Sequence, residues 1–248
     1  RWSVILKTNS YEFRSIGFVE SCFKERFGTP RQPGLVPLAR ARLIIHDEFR
    51  GALEGLEGFS HLWVVFVFHQ NTNKTVKNKI HPPRLGGEKI GVFASRSPHR
   101  PNPIGLSAVQ ILEIKGSELL VGGVDFIEGT PILDLKPYLP SFDSIVAASE
   151  GWLTAKPIER LSVQFEELAL SKIAIYAKTS KYHSQDELKN LIHQTLELDP
   201  RPNFYKGTVE NPDPYMSEYG FCLEDFNVVF QMRDGVAVVT DLIPDFKK

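Results

Sequence analysis

Cysteine is nearly absent: Cys22 and Cys222 are the only two among 248 residues. Two thiols build neither a disulfide framework nor a cysteine-rich zinc site, so the chain reads as a reduced, cytoplasmic protein. Long apolar runs are missing too. The longest, Leu62 to Phe68, suits a buried strand and is far too short to span a membrane. The N-terminus shows no basic-then-apolar signal pattern, and the chain starts at Arg1 without Met. Neither sign of charge dominates. A net charge of -1 and a pI near 6.7 argue against a strongly basic, histone-like binder while leaving room for a local nucleic-acid patch.

Several common signatures are also missing. No G-x-G-x-x-G follows a strand, and Gly51, Gly55 and Gly58 have the wrong spacing for one, so a Rossmann cofactor site is unsupported. There is no P-loop, H-E-x-x-H, C-x-x-C or G-x-S-x-G. The seven histidines show no pairing at metal spacing, and no metal site is expected.

What is present supports a packed core, since 42% of residues are hydrophobic and 24% charged. The first 150 residues read as β. Candidate strands are Phe13–Glu20, Ala41–His46, His61–His69, Lys89–Phe93, Gly105–Lys115, Leu119–Val124 and Ile132–Tyr138, several with apolar/polar alternation and Gly/Pro punctuation. Many short strands with intervening loops suggest a barrel or a sandwich. The character then changes. Ala155-Lys156-Pro157 reads as a linker and a helix is expected within Phe165–Ala177. Ser184-Gln185-Asp186-Glu187 is a capping box ahead of Leu188, Leu191, Ile192 and Leu196. Asp225–Met232 and Val236–Leu242 flank Arg233-Asp234-Gly235 as a hairpin. The expected organisation is a mainly β domain over 1–155 and a smaller α+β domain over 156–248.

Charge divides unevenly, with +3 in residues 1–150 and -4 in the remainder. The positive charge concentrates between Lys74 and Arg100, where Lys74, Lys77, Lys79, Arg84, Lys89, Arg96 and Arg100 face Glu88 alone. Such a loop attracts phosphate. Within it lies Ser95-Arg96-Ser97-Pro98-His99-Arg100-Pro101-Asn102-Pro103-Ile104-Gly105-Leu106-Ser107. Three prolines fix φ and push their preceding residues out of the helical region, Asn102 being held on both sides. The product is a stiff loop presenting Arg96, His99 and Arg100 at a sheet edge, as a ligand site requires. Thr29-Pro30-Arg31-Gln32-Pro33-Gly34 has a similar texture, and His69-Gln70 closes the apolar strand at a rim. Gln32 and Gln70 both donate and accept, which suits an adenine edge or a backbone-like amide. Asp134, in Leu133-Asp134-Leu135-Lys136-Pro137, places a carboxylate at another strand rim.

The Ser95–Ser107 segment resembles the signature of the TsaA-like family, whose bacterial members are the TrmO tRNA N6-threonylcarbamoyladenosine methyltransferases. Pro30–Gly34, Gly55-Leu56-Glu57-Gly58-Phe59-Ser60-His61-Leu62-Trp63, His69-Gln70 and Asp134-Leu135-Lys136-Pro137-Tyr138 extend the likeness. Asp199-Pro200-Arg201-Pro202, Tyr219-Gly220 and Asp225-Phe226-Asn227-Val228 resemble the C-terminal extension of the bacterial enzymes. The resemblance implies a single-sheet β-barrel that binds S-adenosylmethionine, a homodimer, and methylation of N6 of threonylcarbamoyladenosine beside the anticodon of threonine tRNA. It places cofactor contacts at Pro30, Arg31, Gln32, His69, Gln70, Arg96, Leu106, Leu133, Asp134, Leu135 and Lys136. Asp134 and His69 are then the candidates to accept the proton of the methylated nitrogen. Arg96, Arg100 and Asn102 are candidate substrate-binding residues, the two arginines to clamp the substrate's carboxylate or a phosphate, and Lys74, Lys77 and Lys79 are candidates to contact the RNA backbone. Tyr205, Tyr215 and Tyr219 are candidate stacking platforms for bases of the anticodon loop. The competing reading is a non-catalytic module that senses S-adenosylmethionine.

Overall fold

The structure is a computed structural model that describes residues 11–72, 77–155, 157–180, 183–201, 206 and 218–245. Strands β1 (Gly17–Ser21), β2 (Arg40–Ile45), β3 (His61–Val67), β6 (Ile104–Lys115), β7 (Glu118–Gly122) and β8 (Pro131–Pro137) close into a barrel in the order β1-β2-β7-β6-β3-β8. Closure removes free sheet edges, which six short strands cannot otherwise protect. Between β3 and β6, β4 (Lys79–Ile80) and β5 (Ile90–Gly91) form a two-stranded ribbon. The expected strand Lys89–Phe93 is thus cut to two residues, because the chain turns into a 3₁₀ helix at Val92–Ala94. The expected strand from Phe13 begins only at Gly17. The pairing of β1 with β2 ends at Gly17↔Ile45, leaving Phe13 exposed.

Period-two alternation decides the barrel interior. On β2, Ala41, Leu43 and Ile45 point inward, and on β3, Leu62, Val64 and Phe66 do. On β6 the inward set is Gly105, Ser107 and Val109, while Ile104 and Leu106 face outward. Gly105 is required by space. A Cβ there would stand 2.2 Å from Cζ of Phe66, whose ring fills the barrel at that level.

After the short helix α1 (Pro140–Asp143) come β9 (Ser162–Phe165), α2 (Glu167–Tyr176) and α3 (Gln185–Glu197), then β10 (Tyr219–Leu223), β11 (Phe226–Arg233) and β12 (Val236–Pro244). These strands form a second sheet in the order β10-β11-β12-β9, with β9 parallel to β12. The expected capping box is present. Ser184 Oγ accepts from Glu187 N and the Glu187 carboxylate accepts from Ser184 N. Leu188, Leu191, Ile192 and Leu196 are fully buried along one face of α3, as their spacing requires. The hairpin forms as expected, with Asp234 and Gly235 at positive φ. No helix among the described residues is long and apolar enough to cross a membrane.

One apolar core runs from the barrel into the second sheet. Phe23 bridges to Leu223, and Glu224 N donates to Cys22 O at 2.6 Å. His183, 5% exposed, sits in this seam with Nδ1 2.7 Å from Glu224 Oε1 and Nε2 2.7 Å from Leu38 O. Arg40 pairs with Glu187 at 2.5 Å across the same boundary. Burial pushes the Cys22 thiol up to about 12, and the Cys222 thiol, beside Asp245 and Glu25, also to about 12. Both cysteines are therefore inert packing residues.

Candidate active site at one mouth of the barrel

Antiparallel register places the C-terminal ends of β1, β3 and β7 and the N-terminal ends of β2, β6 and β8 at the same mouth. The Thr29–Gly34 loop, His69-Gln70 and the Pro-rich loop preceding β6 all emerge there. This closure gathers segments that lie tens of residues apart.

The Pro-rich loop is braced by its own polar groups. Ser95 Oγ donates to Val92 O at 2.8 Å, Ser97 N donates to Ser95 Oγ at 3.2 Å, and Arg100 N donates to Pro98 O at 2.9 Å. Asn71, just past β3, fastens it from outside. Its Nδ2 donates to Pro98 O at 2.8 Å and its Oδ1 lies 3.2 Å from His99 Nδ1. Phe68 N donates to Pro103 O at 2.8 Å. Arg100 is engaged within its own loop, donating to Ser95 O at 2.8 Å with its guanidinium 5.8 Å from the Phe93 ring centroid. Arg96 is exposed at the mouth, and its Nη1 donates to Gln32 Oε1 at 2.5 Å, joining the two loops. Arg26 donates to the carbonyl of Gln70, tying in the end of β3.

The electrostatics of this mouth follow first from desolvation, with neighbouring cations adding to it at Arg31 and His99. Enclosure by protein lowers the Arg31 pKa; the Asp199 charge opposes that shift and the Arg84 charge adds to it. Asp199 comes from the C-terminal half, where it pairs with Arg201 at 2.9 Å and Lys206 at 3.1 Å. Desolvation lowers the His69 pKa from its ordinary value. It does the same for His99, with Lys77 and Arg26 adding to that shift.

The remaining expected site residues lie over the rim, on the outside of the barrel. Val65 pairs with Leu106 on one side and Asp134 on the other, and Trp63 with Ala108 and Lys136. Leu106 and Asp134 therefore share one outward row, and Lys136 lies in the next. Leu106 is two residues beyond Ile104 at the rim, about 7 Å along the strand. Leu133 occupies the bulge between the Val65 and Phe66 pairings. Leu135, opposite Val64, faces the core, so only its backbone reaches the outer row. Asp134 Oδ2 lies 2.8 Å from Lys136 Nζ, and its Oδ1 accepts from Leu135 N at 2.9 Å. The hydrogen bond to Asp134 raises the Lys136 pKa. Pro30 is buried under the mouth, while Asn102, Lys77 and Lys79 are exposed. Lys74, Tyr205 and Tyr215 lie outside the described residues. Tyr219 is 6% exposed and stacked on Phe230, so it is a core residue and not a platform for a base.

The sequence reading passed over two groups. Ser107, 2% exposed, faces into the barrel and donates from Oγ to Asp125 Oδ1 at 2.7 Å. Asp125 follows β7 between buried Val124 and Phe126. Burial pushes its carboxyl up to about 6, opposed by the Ser107 hydrogen bond, its own backbone and the Arg96 charge. The available signal was the alternation Gly105, Ser107, Val109, which puts a hydroxyl on an inward face where it must find a partner.

The fold and this loop-built mouth define a closed β-barrel protein with a polar, cationic ligand site at one end. The tRNA-methyltransferase O N-terminal domain model matches residues 18–144, and the TrmO C-terminal domain model residues 158–245. The tRNA (adenine(37)-N6)-methyltransferase of Escherichia coli K12 is 38% identical over 243 residues, covering 95% of this chain and 99% of that protein. A Pseudomonas aeruginosa protein named "Putative S-adenosylmethionine-dependent methyltransferase RcsF" is 40% identical over 86% of this chain and 89% of its own length. A crystal structure of TrmO superposes with TM-score 0.76 at 34% identity, covering 95% of this chain and all of that one (100%). The chain belongs to the tRNA-methyltransferase O family and is an enzyme of its type, a tRNA methyltransferase that uses S-adenosylmethionine.

Proposed function

We propose that this enzyme transfers methyl from S-adenosylmethionine to N6 of threonylcarbamoyladenosine at position 37 of tRNA, with threonine tRNA as its main substrate. The observation that carries this reading is the end-to-end likeness to the Escherichia coli tRNA (adenine(37)-N6)-methyltransferase.

The residues present fit the cofactor by their chemistry. Gln32 and Gln70 offer amides to an adenine edge, Arg31 offers a cation to a carboxylate, and Leu106 with Leu133 offers an apolar surface at the rim. When bound, S-adenosylmethionine supplies an already activated methyl group, so the protein's main task is positioning. Asp134 and Lys136, held as a pair on the outer row, serve binding there. Arg96 is presented by Gln32 at the mouth and clamps the threonyl carboxylate that distinguishes the modified base from plain adenosine. Arg100 braces the loop that presents it, and exposed Asn102 beside it serves substrate contact. His69, neutral at pH 7 because its pKa is lowered, lies at the edge of the same site. Lys77 and Lys79, with Lys74, contact backbone phosphates of the anticodon loop.

The working unit is a homodimer in the cytoplasm. Phe142, Ile145 and Val146, all strongly exposed just past β8, supply the apolar surface for a second copy. The barrel domain spans 1–155, and the domain over 156–248 contributes to dimer contact or tRNA choice.

Labelled S-adenosylmethionine offered with two tRNA pools, one bearing threonylcarbamoyladenosine and one lacking it, tests the reading. Label found only in the N6-methyl form of the modified nucleoside is the expected result. Equal labelling of both pools removes the dependence on prior modification. No label, with cofactor still bound, favours the sensor.

A further inference from the structure

Methyl transfer to a urea-like nitrogen leaves a proton to be removed, and the fold holds a group suited to take it. We propose that the Asp125 carboxylate accepts the N6 proton during methyl transfer, with Ser107 as the positioning residue that aims it. The inference rests on the methyl transfer proposed above and names its base.

Placement is the first argument. Ser107 is the residue after Leu106, so the inward hydroxyl and the outward apolar row are successive positions of one strand at the rim. Asp125 lies three residues past the end of β7, at the same mouth as the Thr29–Gly34 and Pro-rich loops. The second argument is that the Ser107 hydroxyl needs only an acceptor, which an uncharged amide oxygen would also supply, so the hydrogen bond does not account for a carboxylate. It lies between Val124 and Phe126, both essentially unexposed, where burying a charge is costly. Among the described residues its one side-chain hydrogen bond is to a neutral hydroxyl, while Arg96, the one charged group among them that acts on it, is bonded to Gln32. It is therefore not one half of a salt bridge.

Chemistry supplies the third argument. With its carboxyl near 6, Asp125 is ionised at neutral pH and is more basic than an ordinary aspartate. The nitrogen's proton becomes strongly acidic as the nitrogen alkylates, so such a base suffices. The nitrogen–hydrogen bond breaks and its proton passes to a carboxylate oxygen. The nitrogen electron pair forms the bond to the methyl carbon, and the sulfur–methyl pair remains on sulfur as a neutral thioether. One positive and one negative charge are lost together, so charge balances. The two other carboxylate or imidazole candidates are less well placed. Asp134 is paired with Lys136 on the outer face, and His69 is exposed to bulk water.

The test uses the full chain, S-adenosylmethionine and tRNA bearing threonylcarbamoyladenosine, with single-turnover rates from pH 5 to 9. Thermal midpoint and cofactor affinity are measured on the same samples. The wild-type rate is expected to fall tenfold per pH unit below about 6. Asp125→Asn should lose about 100-fold or more at neutral pH and lose that acid limb, with cofactor affinity and midpoint nearly unchanged. Asp125→Glu should recover part of the rate. Ser107→Ala should move the limb to higher pH, because the hydroxyl's hydrogen bond holds the Asp125 value down. An Asp125→Asn rate within a few-fold of wild type overturns the proposal, as does a loss of cofactor affinity that matches the loss of rate. If Asp125→Asn does not fold, Ser107→Ala decides, and a limb that stays in place overturns it. A wild-type protein that methylates nothing defeats the proposed function itself, a failure visible before any variant is made.

Discussion

Replacing Gly105 by Ala probes the packing that supports the mouth. The added Cβ would meet Cζ, Cε2 and Cε1 of Phe66 at 2.2, 2.4 and 2.7 Å, whereas carbon atoms in good contact stand about 3.5–4.0 Å apart. The ring must retreat by more than 1 Å, and it has little room. Phe66 is 4% exposed and wedged edge-on between Phe126 at 5.0 Å and Phe68 at 5.1 Å. Overpacking of this kind costs about 1–3 kcal/mol, and relief of glycine's handicap in a strand returns less than about 1 kcal/mol. The net expectation is about 2 kcal/mol. For a chain of this size that lowers the thermal midpoint by about 4–8 °C. Thermal unfolding followed by circular dichroism reads the shift directly. Adding Phe66→Leu should recover part of the loss, so that the double variant is about 1 kcal/mol more stable than the sum of the singles implies. A Gly105→Ala midpoint within 1 °C of wild type, or strict additivity with Phe66→Leu, refutes the argument that Phe66 dictates the glycine.

Arg96→Ala should reduce methyl transfer to modified tRNA at least about tenfold while moving the thermal midpoint by less than about 1 °C, since the side chain is exposed and its hydrogen bond among the described residues is to Gln32; a wild-type rate removes Arg96 from the site. His183→Ala removes one of the two side-chain partners that Glu224 has among the described residues in the seam between barrel and second sheet, leaves Ser180 Oγ at 2.9 Å, and should cost about 1–3 kcal/mol in urea unfolding; a loss below about 0.5 kcal/mol counts against a stabilising role for the contact. The backbone hydrogen bond from Ser184, partly offset by burial and aided by Arg40, holds the Glu187 carboxyl down to about 2 from 4.5. Because the folded value is depressed, this contribution is complete above about pH 4.5 and lost as pH falls toward 2. Glu187→Gln should therefore flatten that part of the stability-pH curve, and an unaltered acid slope counts against it.

The elements that were legible from sequence are those with strong local patterns. The capping box before α3 satisfies orphan backbone groups within one turn, so four residues announce it wherever the helix packs. The alternation in β3 and β6 likewise needs no partner to be visible. The weak places have equally local reasons. Strand β9 is four residues at a sheet edge, and its pairing partner β12 lies some seventy residues away. The ribbon strand at Ile90 ends early because Val92 turns into a 3₁₀ helix. Tyr219 looked available because an aromatic residue carries no mark of which face it will show.

For the site, the prolines and cations of the Ser95–Ser107 segment marked a ligand loop by themselves, because ring closure fixes φ without help from the rest of the chain. Composition likewise set the chemical class of its contacts. Whether Asp134 faces the core or the solvent, and whether Asp125 meets Ser107, depends on register, since a shift of one residue reverses every side chain in a strand. Register is set by closure of the whole barrel. The joining of Gln32 to Arg96, and the approach of Asp199 to Arg31, likewise exist only after segments far apart in the chain have paired. The sequence therefore determined which groups this protein can offer a ligand, and the tertiary structure decided which of them face the same water.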